Sequence, residues 1–164
     1  MLSVKLLDSY RNQFDRIQNE QLENIEKAST AIAESVMNGG AWHVHDTGHI
    51  IDSELIHRGG GLMLIRPFTW GFNLNDNMPK CLQNRPREEE IGDITIDIVR
   101  LAVKASSLRK GDVITIGSVS GRSTPQVELA LECKRIGVIV VVISAYDYAT
   151  QVESRHPSGK RLHE

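Results

Sequence analysis

The chain has 164 residues, a formal charge of −2 and two cysteines, Cys81 and Cys133. That length suits one domain with a full hydrophobic core, and two distant cysteines exclude a disulfide framework or a zinc knuckle and suit a reducing cytosol. The charge gives no basic face for nucleic acid or an anionic membrane, and neither a signal peptide nor a spanning apolar run is present, so a soluble, cytoplasmic protein is expected.

From residue 3 to 38, Leu6, Leu7, Tyr10, Phe14, Ile17, Leu22, Ile25, Ala28, Ile32 and Val36 recur at steps of mostly three or four. This spacing predicts one long helix, stopped by Gly39-Gly40. Such a helix exceeds what a small sheet can cover. Part of its stripe is therefore expected on another subunit, as a homodimer or homotetramer, although a helix lying back across its own domain fits the same pattern.

Ala41-Trp42-His43-Val44-His45 predicts a first strand. The polar turn Asp46-Thr47-Gly48-His49 follows, then a second helix through about Arg58 and a glycine stop at Gly59-Gly60-Gly61. Leu62-Met63-Leu64-Ile65 predicts a second strand. From Pro67 to about Asp93 no apolar period is sustained, which predicts a long excursion of the lid or partner-surface kind. Within it Trp70 reads as a lid residue, whereas Trp42 reads as core.

Order resumes with a helix from about Ile94 to Ser106, its inner face assigned to Ile94, Ile98, Leu101 and Ala102. Asp112-Val113-Ile114-Thr115-Ile116 reads as a short buried strand. After it, Gly117-Ser118-Val119-Ser120-Gly121-Arg122-Ser123-Thr124-Pro125 turns into a helix carrying Val127, Leu129, Ala130, Leu131 and Ile136. Its cap is either Ser123, with Gln126 completing a capping box, or Thr124, with Pro125 in the first position. The β-branched run Gly137–Ile143 predicts a strand covered on both faces. A short helix over Ala145–Val152 and a turn-rich tail from Ser154 to Glu164 complete the chain.

Alternating strands and helices predict an α/β domain over residues 1–164, a three-layer αβα fold with a parallel sheet, for which a flavodoxin-like strand order 2-1-3-4 is expected. In that order the direction of winding reverses between the first and third strands, and ligands bind beyond the strand ends at such a point. Both strands there end in polar glycine turns, Asp46–His49 and Ser118–Ser123. The second turn joins strand to helix N-terminus, so amide N–H groups, the helix dipole and serine hydroxyls can converge on an anion. The alternative is an ordinary strand-to-helix turn; two turns converging on one cleft favour the anion. Neither a G-x-G-x-x-G after the first strand nor a G-x-x-x-x-G-K-[ST] is present, so no nucleotide cofactor is expected.

Ser118-Val119-Ser120-Gly121-Arg122-Ser123 followed by Glu128-Leu129-Ala130 resembles the S-x-S-G-x-[ST] loop and helix of the SIS (sugar isomerase) domain family. Gly48-His49, Glu54, Arg58-Gly59-Gly60-Gly61 and Ser154–Lys160 are similar to a bacterial group of SIS proteins labelled as phosphosugar or phosphoheptose isomerases. The first turn, Asp46-Thr47-Gly48-His49-Ile50, departs from that family's G-S-G-x-S.

The resemblance implies a sugar phosphate as ligand. Ser118, Ser120 and Ser123, with the backbone of Gly121 and Arg122, would hold its phosphate, while Thr47, Gly48 and His49 would complete the site. Arg122 points either at the phosphate or at solvent. Aldose–ketose isomerisation needs a base that moves a proton between adjacent carbons through an enediol, and Glu54 is the implied base. A surface pair with Arg58 is its competing explanation. His156 is the implied second acid/base, or a group that opens the sugar ring, against a reading as a surface histidine before a proline turn. The alternative function is a non-catalytic, phosphosugar-sensing module. The family fold continues into a fifth strand and a C-terminal helix, so a missing edge strand is expected.

His43, His45 and His49 raise the possibility of a metal, but a telling fourth ligand is lacking apart from Asp46. Strand histidines are more often hydrogen-bonded core residues, and no metal is expected.

Overall fold

In the computed structural model, which describes residues 1–47, 52–56, 59–85 and 93–164, four strands form one parallel sheet of order β2-β1-β3-β4. The strands are β1 (Trp42–Asp46), β2 (Ile65–Pro67), β3 (Val113–Gly117) and β4 (Ile139–Ile143). The helices are α1 (Leu2–Glu20), α2 (Leu22–Met37), α3 (Asp52–Leu55), α4 (Thr95–Ala105), α5 (Thr124–Arg135) and α6 (Tyr146–Ala149), with a 3₁₀ turn at Lys80–Leu82. Strand order and fold class agree with the reading of the sequence.

β3 is the centre. All five of its residues are buried, because β1 and β4 pair with its two edges and helices cover its faces. On one face Ile114 and Ile116 pack with Val99 and Val103 of α4, Leu129 and Cys133 of α5, and Phe68. On the opposite face Val44, Ile56 and Ile65 form a smaller cluster with Trp42 and Leu55. This gives the three-layer arrangement, with the alternation of a strand deciding which residue faces which layer.

The long N-terminal helix is present as α1 and α2, with a local break at Gln21, whose φ of −120° leaves helical values; helical bonds run across it, from Gln21 N–H to Ile17 O at 2.9 Å and from Ile25 N–H to Gln21 O at 2.9 Å. Other expectations are corrected. α1 buries none of its residues. The second helix is a single turn among the described residues. β2 starts at Ile65, which is set opposite Trp42 by pairing, while Leu62 and Met63 are exposed.

α4 turns Val99 and Val103 inward and leaves Leu101 65% exposed. Asp97, Arg100 and Lys104 form its polar stripe, and Leu101 lies within that stripe by helical spacing. β4 is covered less than its β-branched run predicts: Val140 packs on the α4–α5 core, but Ile139 and Ile143, on the other face, are exposed. Trp70, read as a lid residue, lies partly buried against that same core.

Candidate functional site

The turn after β3 is held from behind by backbone bonds. Ser118 N–H donates to Ile143 O at 3.0 Å, and Val119 O accepts the N–H of Ala145 at 3.1 Å. Gly121 O accepts the N–H of Leu162 at 2.8 Å, and Arg122 O accepts the N–H of Arg155 at 3.0 Å. The Thr124 hydroxyl adds a bond to Arg155 O at 3.0 Å. The tail, read from sequence as a polar and turn-rich ending, is thus docked along the turn.

These bonds decide where the amides point. In a trans peptide the C=O and the following N–H are antiparallel, and no peptide bond described is cis. With the carbonyls of Gly121 and Arg122 turned to the tail, the N–H groups of Arg122 and Ser123 point away from it. By the same geometry the Ser120 N–H points away from Ala145. Among the described residues none of these three N–H groups donates to a protein acceptor. They lie at the start of α5, where the helix dipole is positive.

Side chains complete the turn. Ser118 is buried and its Oγ accepts Gly121 N–H at 3.3 Å, closing the loop on itself. Gly121 has φ +62°, a left-handed value that glycine adopts without strain. Ser123 is the N-cap residue, with φ −73° and ψ 137°, yet its hydroxyl makes no capping bond, and Pro125 falls in the second helical position. Neither capping bond read from the sequence forms, and the Ser123 hydroxyl caps no helix amide. Arg122 is half-buried beside it.

β1 brings the second turn alongside. Asp46 pairs opposite Gly117, so Thr47 and Ser118 leave adjacent parallel strands at one level. β2 lies to one side and β4 to the other, which makes this the switch point. Thr47 is exposed and Asp46 half-buried. Gly48 and His49 lie outside the described residues, as does Arg58, the proposed surface partner of Glu54. Glu54 itself sits on α3, the helix that follows this turn, with its side chain exposed.

His156 is not a surface residue: it is 8% exposed. The Ser158 backbone N–H can only donate, and it lies 3.1 Å from Nδ1. Nδ1 is therefore the acceptor, and Nε2–H donates to Glu128 Oε2 at 2.8 Å. Ser158 Oγ is also 2.7 Å from Nδ1. With both ring nitrogens engaged, proton exchange with a ligand would first require one of these bonds to open.

Glu128 is 2% exposed, and its other oxygen accepts Arg100 Nε at 2.6 Å. A buried carboxylate survives only when paired in this way. In the sequence Glu128 stands within the motif Glu128-Leu129-Ala130, which by itself assigns it no role. The signal was a single charge inside the apolar run Val127-Glu128-Leu129-Ala130-Leu131.

The strand histidines are core residues. His45 Nδ1 is 2.9 Å from Phe68 O, and its ring stacks on Trp70 with centroids 4.4 Å apart. His43 meets Phe68 edge-on, and burial holds its pKa below the ordinary histidine value. Among the described residues no group of three or more His, Cys, Asp or Glu side chains is placed to hold a metal, and no helix is long and apolar enough to cross a membrane. Trp70 is thereby committed to His45 and Phe68. Trp42, read as core, donates from its indole to Thr115 Oγ1 at 2.9 Å.

Comparison with known proteins bears on the same segments. A family model for the SIS domain matches residues 6–145. A UPF0309 protein of Streptomyces coelicolor is 32% identical over 162 residues, covering 96% of this chain and 62% of its own length. A UPF0309 protein of Halalkalibacterium halodurans is 33% identical over 152 residues, covering 90% and 59%. The chain thus spans about three fifths of the length of these curated relatives. A phosphoheptose isomerase structure from Francisella tularensis superposes with a TM-score of 0.52 at 17% identity, covering 88% of this chain and 76% of that one.

Proposed function

The chain belongs to the SIS-domain family, and on that footing we propose that it binds a sugar phosphate and interconverts an aldose phosphate and a ketose phosphate by proton transfer. The observation that carries the reading is the turn at 118–123. Three N–H groups that donate to no acceptor among the described residues, a Ser123 hydroxyl that makes no capping bond and the N-terminus of α5 together suit a phosphate dianion. The Thr47 turn, leaving the neighbouring strand at the same level, would meet the sugar.

Glu54 is the proposed base. It would take the proton from the carbon next to the carbonyl and return it to the neighbouring carbon of the enediol, with no external cofactor. Glu54 is exposed on α3. The likeness to a phosphoheptose isomerase supports the fold on which such chemistry is run, and that protein's name makes a seven-carbon sugar phosphate a sensible first substrate to try.

Incubation with a panel of aldose and ketose phosphates in deuterated water tests this reading. Deuterium is expected at C1 of the ketose phosphate and at C2 of the aldose phosphate, and Glu54→Gln should bind the same sugars without exchange. Full exchange in Glu54→Gln removes that residue from the mechanism. Binding without exchange in the unaltered protein leaves the sensing module, the reading that the departure at Asp46-Thr47 favours.

We further propose that the protein is a homo-oligomer joined through α1. Leu6, Leu7, Tyr10, Phe14 and Ile17 are all about half or more exposed along one helix. The tie between α1 and the sheet domain seen at Arg16–Asp147 is a solvated pair at 3.1 Å, of a kind that contributes little.

A further inference from the structure

We propose that Glu128 and His156 are positioning residues for the phosphate turn, an inference that rests on the sugar-phosphate reading above. Neither side chain has an atom free for a ligand. Their bond instead anchors the tail segment whose backbone sets the turn. Arg155, the residue before His156, is bonded on both sides to the turn: its N–H to Arg122 O at 3.0 Å, and its C=O to the Thr124 hydroxyl at 3.0 Å. Glu128 sits on α5 one helical turn beyond Thr124.

The Glu128–His156 bond therefore closes a short loop of contacts: Arg122, Arg155, His156, Glu128 and back along α5 to Ser123. Within that loop the Arg122 carbonyl has one direction, and the Ser123 N–H has the opposite one. Opening the bond frees the carbonyl to rotate inward, which would present an oxygen lone pair to the phosphate in place of a donor.

The chemistry of the pair suits this task. Ser158 occupies Nδ1, so the ring cannot turn without losing two bonds as well as the one to Glu128. A second strut, Ser154 Oγ to Lys160 O at 2.6 Å, folds the tail so that Leu162 reaches Gly121 O at 2.8 Å. Arg100 balances the Glu128 charge at 2.6 Å, so a carboxylate near the base of the anion site does not repel the anion.

The test uses the full chain with inorganic phosphate as probe, followed by the backbone amide NMR signals of the folded protein. His156→Ala and Glu128→Leu are each expected to weaken phosphate binding about tenfold, the effect of losing one charge-assisted hydrogen bond. Both should shift the Arg122 and Ser123 amides before any phosphate is added. His156→Gln, whose side-chain amide can donate to Glu128, should restore affinity and shifts. The double variant His156→Ala/Glu128→Leu should bind no more weakly than either single one, because the two act as one unit.

A purely structural pair would lower the melting temperature and leave the affinity of folded molecules unchanged; that result overturns the proposal. So does an affinity loss in His156→Gln equal to that in His156→Ala. Glu128→Leu keeps side-chain volume and carries the test if His156→Ala does not fold. If the unaltered protein takes no phosphate, the sugar-phosphate reading falls and the positioning role falls with it. Phosphate binding that the variants do not change overturns the positioning role alone.

Discussion

Gly121 and Leu162 meet at 2.8 Å through a backbone bond from the Leu162 N–H to the Gly121 carbonyl, with Gly121 held at φ +62°. A Cβ at this position would come within 3.3 Å of Leu162 Cβ. The glycine is thus required twice, by its left-handed backbone and by the close approach of the tail. Gly121→Ala is expected to cost about 1–2 kcal/mol of stability, the penalty of a left-handed alanine, and to weaken phosphate binding as the turn shifts. Urea denaturation with parallel phosphate titration measures both.

Ser123 separates stability from binding. N-cap serines normally contribute about 1 kcal/mol through a side-chain bond to the helix amides, but here that bond is not made. Ser123→Ala should therefore change stability by less than about 0.5 kcal/mol while weakening sugar-phosphate binding about tenfold, by loss of a hydrogen bond to a charged ligand. A large stability loss with unchanged binding would identify the hydroxyl as a cap.

His43 makes stability depend on pH. Its folded pKa lies below the ordinary value because burial disfavours the imidazolium, an effect that Asp112 partly offsets and Arg66 reinforces. Below about pH 6.5 the unfolded chain takes up a proton that the folded one refuses. Stability is expected to fall as pH drops from 7 to 5, and His43→Gln should lose less over that interval. Equal pH dependence in the two proteins would show that His43 titrates alike folded and unfolded.

The apolar stripe of α1 gives an oligomer prediction. Phe14 is 69% and Ile17 46% exposed, so charges placed there do not disturb the core. The double variant Phe14→Glu/Ile17→Glu should convert a dimer or tetramer to monomer by light scattering with unchanged circular dichroism. A monomeric unaltered protein would refute the proposed interface.

Much of this arrangement was legible in the sequence because local signals were unambiguous. The β-branched runs at β3 and β4 and the serine–glycine turn before α5 located their elements within two residues, their alternation with helices implied a parallel sheet, and the flavodoxin-like order expected for it is the observed β2-β1-β3-β4. What was not legible depended on pairing or on backbone contacts. β2 begins at Ile65 because β1 sets its register, and nothing in Leu62-Met63-Leu64 states that.

α4 is apolar on most sides, so its inner face was readable only from the charged stripe Asp97, Arg100 and Lys104. The tail reaches the turn through backbone atoms of Arg155 and Leu162, which no pattern of side chains announces. Glu128 and His156 lie 28 residues apart, and their pairing required the fold.

Calorimetric titration with matched sugar phosphates and their unphosphorylated sugars tests the central claim most directly. The account predicts saturable binding of at least one phosphorylated sugar, no binding of its unphosphorylated counterpart, and a marked loss of affinity in Ser123→Ala. Equal binding of both sugars, or sugar-phosphate binding that Ser123→Ala leaves untouched, would place the ligand elsewhere than the turn at 118–123 and contradict the account.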